Sequence, residues 1–278
     1  MKIPDEIDGA FIARTTDCNK YTVGVVVVVG GSANYVNAPV IAGLGARAGG
    51  AGLVRLVVPD ASRISAGMLL PEATFTKLSA TCEPPRGDAM VIGMGLGTGG
   101  AAERLLARMI SGREGRFVLD ADALSILAQW SGGKKAFKAA EGLEIILTPH
   151  EGEAARLLGA SREDVAADRP AAARELAARY GATIVLKGPG TLVASRDGRR
   201  IYKNTTGNPF MALGGMGDLL SGVIGARWAY LKGDAFTAAA GGVWLHGAAS
   251  DALVKDGGDP SIVNTAAHIG SLRTKLDA

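Results

Sequence analysis

The chain has 278 residues, room for one large α/β domain or two small ones, and 47% of them are apolar, enough for a sizeable core. Its 30 basic and 27 acidic residues leave a net charge of only +3, with 5% aromatics, and scattered Lys and Arg without stacking rings argue against a nucleic-acid surface. No run approaches the ~18 consecutive apolar residues of a membrane span, Cys18 and Cys82 form neither a disulfide framework nor a metal-ligand spacing, and the polar, acidic MKIPDEIDGA start is unlike a secretory leader, so a cytoplasmic location is expected.

Short β-branched runs alternate with helical patterns along the chain. Residues 23–29 read as a buried strand, followed by GGSANYVNA and a helix over 36–48. A second strand is predicted over 52–59 and a third over 89–93, the latter leading into GMGLGTG and a helix over 101–110. Residues 116–120 predict a strand that ends in DADAL and passes into a helix over 123–129. The next strand, 143–148, runs into TPHEGE and a helix over 152–158, with a further helix over 171–180. Strand 183–187 ends in KGPGT, residues 192–195 and 200–204 form a hairpin about RDG, and helices cover 218–231 and 235–255. Such alternation predicts a mostly parallel sheet with helices on both faces. With no Pro/Ser-rich linker and no internal repeat, residues 1–278 read as a single domain.

Ligands of such sheets bind beyond the carboxyl ends of the strands, and that is where the chain puts its glycines and charges. GGMGD (214–218) opens a helix. Successive N–H groups there make an anion site backed by the helix dipole. Asp218 reads equally as a helix-start carboxylate or as a base that takes a proton from an attacking hydroxyl. KGPGT (187–191) places a cation and open backbone at a strand end, suited to phosphates or to a plain turn. In TPHEGE (148–153), His150 could hydrogen-bond a substrate, Glu153 could orient magnesium-bound waters, and Glu151 is better explained by the helix dipole. Asp120 could face the cleft, and Asp122 reads as an N-cap. GMGLG (93–97) is a loop stripped of side chains. His246, in VWLHGAAS, reads as a hydrogen-bonded core or interface histidine. VVVVVGGS lacks both the G-x-G-x-x-G of a Rossmann turn and the G-K-[ST] of a P-loop.

In chain order, GGS…APVIAGLGARAGGAGLV, LLPEAT, IGMGLG, VLDADAL, LTPHEGE, IVLKGPGT, TGNPFMALGGMGDLLSGVIGA and LHG together resemble the NAD(P)H-hydrate dehydratase family of the ribokinase-like superfamily, over residues 25–249. The resemblance implies a three-layer αβα domain with a central, mostly parallel sheet and no separate lid domain. It also implies repair of hydrated NADH or NADPH. ADP or ATP would phosphorylate the ring hydroxyl, and phosphate would then be eliminated. Asp218 would be the base, and Gly215, Met216 and Gly217 the anion hole. Lys187, Gly188, Pro189, Gly190 and Thr191, with Gly217, would hold the adenine nucleotide. Ala38, Gly95, Gly97 and His150 would contact the hydrated cofactor, together with Asp218. Mg2+ would bridge the phosphates with Glu153 acting indirectly, and a homo-oligomer, a tetramer, is expected. An epimerase-type domain, fused to some relatives, is not expected in this length.

The chain departs from the family pattern at Asn37 and Phe210, where the family has glycine, and at Met94, where it has proline. It also departs at Glu151, another family proline, and at Met216, in place of threonine. All of these are expected around the cleft. Two further readings remain open: a small-molecule kinase acting on a sugar or vitamin hydroxyl, and a non-catalytic nucleotide sensor.

Overall fold

A computed structural model describes residues 2–110, 114–130 and 142–278. Its strands are β1 (Val25–Val29), β2 (Leu53–Val58), β3 (Thr74–Lys77), β4 (Ala89–Ile92), β5 (Gly115–Leu119), β6 (Leu143–Leu147), β7 (Thr183–Leu186), β8 (Leu192–Ala194) and β9 (Ile201–Lys203). They form one nine-stranded sheet in the order β3-β2-β1-β4-β5-β6-β7-β8-β9. Pairings from β3 through β7 are parallel, and the β7–β8 and β8–β9 pairings are antiparallel.

The main helices are α2 (Ala38–Ala48), α3 (Ser62–Leu69), α4 (Gly100–Ile110), α5 (Asp122–Gln129), α6 (Glu151–Leu158), α8 (Arg169–Tyr180), α9 (Met216–Leu231), α10 (Ala235–Lys255) and α11 (Ile262–Leu276). The short turns α1 (Lys20–Val23) and α7 (Arg162–Ala167) complete the numbering. Among the described residues no helix is long and apolar enough to cross a membrane.

Strand alternation explains the three layers. Successive side chains point to opposite faces, so the run VVVVV serves both. Val26 and Val28 belong to the buried layer that also holds Leu44 of α2, Ile224 of α9, Trp244 of α10 and Ile269 of α11. Val27 and Val29 belong to the buried layer that also holds Leu105 of α4, Leu124 of α5, Leu157 of α6 and Leu176 of α8. A parallel sheet buried on both faces requires apolar residues at consecutive positions, and the sequence supplies them.

The predicted strands and helices are all present, with ends moved by a residue or two. The sequence patterns did not reveal α3, β3, α7 or α11. β3 is an edge strand, TFTK, with no fully buried position. In α11 the buried residues are only Thr265, Ala266 and Ile269, too few and too small for a clear apolar stripe.

The placement of α9 depends on close helix contact. A Cβ at Gly222 would lie 1.8 Å from the carbonyl oxygen of Ala42, and one at Gly45 would lie 2.0 Å from that of Leu219. α2 and α9 therefore touch backbone to backbone. Gly222→Ala is expected to lower stability by about 2–3 kcal/mol, the usual scale of overpacking. The check is the urea midpoint, and an unchanged midpoint would contradict this packing.

Candidate functional site

The strand order reverses between β1 and β4, so a crevice opens where their carboxyl ends diverge. Gly31 N–H donates to Met94 O at 2.8 Å and ties the two strand-end loops together. Ala38 opens α2 beside them. Gly97 N–H donates to Asp122 Oδ2 at 2.8 Å. Asp122 therefore does not cap α5, which has no side-chain cap; its carboxylate fixes the glycine loop. Tyr35 lies directly over Gly95, where a Cβ would come within 2.4 Å of the tyrosine Cβ. Gly95, Gly97 and Ala38 are thus gathered on the β1–β4 side.

The next strand ends carry a compact ionic cluster. Asp120, 1% exposed, follows β5. Its Oδ1 accepts from Lys187 Nζ at 2.7 Å and from Ala121 N–H at 2.8 Å, and its Oδ2 accepts from Ser221 Oγ at 2.5 Å. Ala121 has φ 51°, a left-handed backbone unusual for a residue with a Cβ. That turn separates two neighbouring carboxylates, sending Asp120 to Lys187 and Asp122 to the Gly97 loop. Lys187 Nζ also lies 3.8 Å from Glu153 Oε2. Burial opposes its charge, but Asp120 and Glu153 outweigh burial and hold its pKa above the ordinary lysine value.

His150 caps α6. Its Nδ1 accepts from the N–H groups of Gly152 (3.0 Å) and Glu153 (3.3 Å), and Glu153 Oε2 accepts from His150 N–H at 2.7 Å. This is a capping box built on histidine. Burial and then the Lys187 ammonium lower the imidazole pKa, so the ring is neutral near pH 7. With Nδ1 accepting, the proton of the neutral ring sits on Nε2, which leaves a donor. Burial in turn raises the pKa of Glu153. Glu151 stands in the first turn of α6, as its reading from the helix dipole has it, and also pairs with Arg162 and Arg169.

At the start of α9, Gly215 adopts φ 94°, which admits glycine most readily. Met216 N–H donates to Leu213 O at 3.2 Å. Among the described residues the amides of Gly215, Gly217 and Asp218 make no hydrogen bond, so the open donors of the turn are these three, and the Met216 amide is engaged. A Cβ at Gly217 would lie 3.5 Å from Lys187 Nζ, which puts the ammonium against the turn. Half-buried Asp218 follows. Burial first and then the charge of Asp120 push its pKa up to about 7, with Lys187 pulling it down.

A cavity of about 690 Å³ lies against this turn. Lys187 through Thr191, the 204–209 loop, Met216, Gly217 and the α10 residues Val243, His246 and Gly247 line it. Asp218, His150, Glu153, Gly95, Gly97 and Ala38 lie outside that lining. Lys187 and Gly217 form the wall that leads from the cavity toward Asp218.

The family model for NAD(P)H-hydrate dehydratase matches residues 26–269. The ADP-dependent (S)-NAD(P)H-hydrate dehydratase of Neisseria meningitidis is 43% identical, over 89% of this chain and 83% of that protein. The chain belongs to the NAD(P)H-hydrate dehydratase family. The bifunctional NAD(P)H-hydrate repair enzyme of Gloeobacter violaceus is 38% identical over 88% of this chain, and the match spans only 48% of that longer protein. The crystal structure of the ADP/ATP-dependent NAD(P)H-hydrate dehydratase of Bacillus subtilis, co-crystallised with ATP and Mg2+, superposes with a TM-score of 0.86 at 26% identity, over 98% of this chain and 97% of that one. The αβα sandwich seen here is thus the ribokinase-like fold.

Against the pattern of the NAD(P)H-hydrate dehydratase family, the departures fall in different environments. Met94 is fully buried in the core and adds nothing to the cleft surface, contrary to the sequence expectation. Met216 is also buried, yet lines the cavity. Phe210 is 62% exposed, and Asn37 lies at the surface without capping α2. Sequence patterns missed Ser221 and the positioning role of Asp122. A serine one helical turn after Gly217 points its hydroxyl at the same level as the turn, and that spacing was the available signal.

Proposed function

We propose that the chain restores hydrated NADH or NADPH by nucleotide-dependent dehydration, with ADP as the phosphoryl donor. The observation that carries this is that Lys187 and Gly217 line a cavity suited to a nucleotide while Asp218, the next residue and within electrostatic reach of Lys187, stands just outside that lining. Asp218 takes the proton from the ring hydroxyl. The oxygen forms a bond to the terminal phosphorus while the bond from phosphorus to the nucleotide breaks, leaving AMP. Open amides at Gly215, Gly217 and Asp218 and the Lys187 ammonium meet the charge that develops on the phosphoryl oxygens. Phosphate then leaves with its bonding electrons as a proton leaves the neighbouring carbon, which restores the ring double bond. His150, neutral with a proton on Nε2, donates to the hydrated ring, and the glycine loop at Gly95 and Gly97 lets it approach.

Among the described residues no cluster of three or more His, Cys, Asp or Glu could hold a metal. A single carboxylate, Glu153, fits a magnesium ion that arrives on phosphates and keeps most of its waters. Such an ion would supply charge neutralisation, and Glu153 would orient one of its waters. The same reading carries a homotetramer acting in the cytoplasm as single-domain subunits.

The test is recovery of dihydronicotinamide absorbance from hydrated NADH and NADPH, with ADP and ATP in parallel. Turnover with ADP is the expected result. A stable phosphorylated product from a sugar or vitamin, with no nicotinamide recovery, would favour a kinase instead. The fold comes with kinase relatives, and Asp218 could serve either reaction.

A further inference from the structure

Of the reading of His246 as a hydrogen-bonded core or interface histidine, the burial is seen and the hydrogen bond is not. It is 5% exposed, its Nε2 is buried with no hydrogen-bond partner among the described residues, and the residue belongs to the lining of the 690 Å³ cavity. Other polar side chains in that lining are engaged. Lys187 binds Asp120, and Thr191 binds Gly188 O. Asn204 and Thr206 bind each other and the backbone. Asn208 binds Ser250 and Asp251. Thr205 is at the surface. A buried polar group without a partner is costly and rare, and His246 sits in the lining of a cavity toward which its ring can turn.

Its neighbours describe that partner. Val243, one turn earlier on α10, and Leu220 and Met216 of α9 line the same space. They suit a flat, largely apolar ring with polar atoms at its edge, and they suit a hydroxyl-rich sugar poorly. The opposite requirement, phosphate, is met in the same cavity by Lys187 through Thr191 and Gly217.

We propose that His246 reads the purine base of the nucleotide, through a hydrogen bond between its imidazole and a ring nitrogen or amine on the base edge. This rests on the nucleotide reading of the cavity given above. Burial drives the ring's pKa down to about 4, so it stays neutral and offers one donor and one acceptor. Rotation about Cβ–Cγ, a broad torsion, turns either nitrogen to the cavity edge. His246 is then a specificity residue that selects a nucleotide over bare phosphates, at a distance from the reacting atoms.

The experiment is calorimetric titration of the wild-type chain, His246→Phe and His246→Gln with ADP, 2′,3′-dideoxy-ADP and inorganic pyrophosphate. His246→Phe is expected to bind ADP and dideoxy-ADP about tenfold more weakly, the scale of one net hydrogen bond, with pyrophosphate unchanged. His246→Gln, which keeps a donor and an acceptor, should recover most of the loss. Phe removes an unpartnered polar group, so the urea midpoint should not fall. Unchanged ADP affinity would overturn the proposal, as would a parallel loss of pyrophosphate binding. A loss confined to ADP would assign the contact to the ribose and overturn the base assignment. If the wild-type chain itself fails to bind ADP, the nucleotide reading of the cavity falls, and that result is distinct from any effect of the variants.

Discussion

Asp218→Asn is expected to lower kcat by about 10²–10⁴-fold, the range for removing a positioned general base. The dissociation constant for ADP should stay within about threefold, since a group acting only on the reacting hydroxyl leaves ground-state nucleotide binding alone. Asn preserves the shape of Asp, and residue 218 lies outside the cavity lining. Burial and Asp120 put the carboxylate at about 7, so in the wild-type chain kcat/KM should rise with pH through a midpoint near that value, the base being active when deprotonated. Stability should move the opposite way. The folded pKa lies above the ordinary 3.8, so the stability linked to the protonated group is full below about 4 and lost as pH rises through about 7. Asn at 218 avoids that loss. The variant should therefore match wild type near pH 4 and exceed it by about 1–2 kcal/mol at pH 8, after allowing for solvent around a half-buried group. Full activity in the variant would remove Asp218 from the base role. A Tm gain that is the same at pH 4 and pH 8 would show that its carboxylate is not strained by burial.

The sandwich was legible because its signal is local. A parallel strand buried on both faces writes itself as a run of β-branched residues, and β1 is five valines. α11 and β3 were illegible because their stability comes from neighbours: α11 buries mainly small residues and β3 pairs at an edge. The same division holds in the site. Lys187, Gly217 and Asp218 follow strand ends or open a helix, and position alone marked them. Asp122 failed because capping by an aspartate at a helix start is the commoner use of that residue type. Only the left-handed turn at Ala121 reveals that its carboxylate faces the Gly97 amide. At His246 the burial was legible and the missing hydrogen bond was not: an apolar stretch around a histidine looks the same whether or not the residue also borders a cavity.

The Asp120–Lys187 pair should dominate both stability and the pH profile. Asp120→Asn keeps the side chain's shape but leaves a buried ammonium short of its nearest counter-charge, and breaking a buried pair costs about 3–5 kcal/mol. The lower end applies, since Glu153 at 3.8 Å still faces Lys187. Lys187→Met exposes Asp120 to a similar penalty, eased by the hydrogen bonds from Ser221 and Ala121. The double variant should be more stable than the sum of the two losses predicts, since neither charge is then stranded. On the reaction side, the two single variants pull Asp218 in opposite directions. Asp120 raises its pKa and Lys187 lowers it, so the midpoint of kcat/KM should move down in Asp120→Asn and up in Lys187→Met. A purely structural role would reduce activity in both without separating the midpoints. Urea titration of the four proteins and their pH profiles therefore decide together whether this pair tunes the base or only braces the strand ends. Midpoints shifting in the same direction would reject the tuning role.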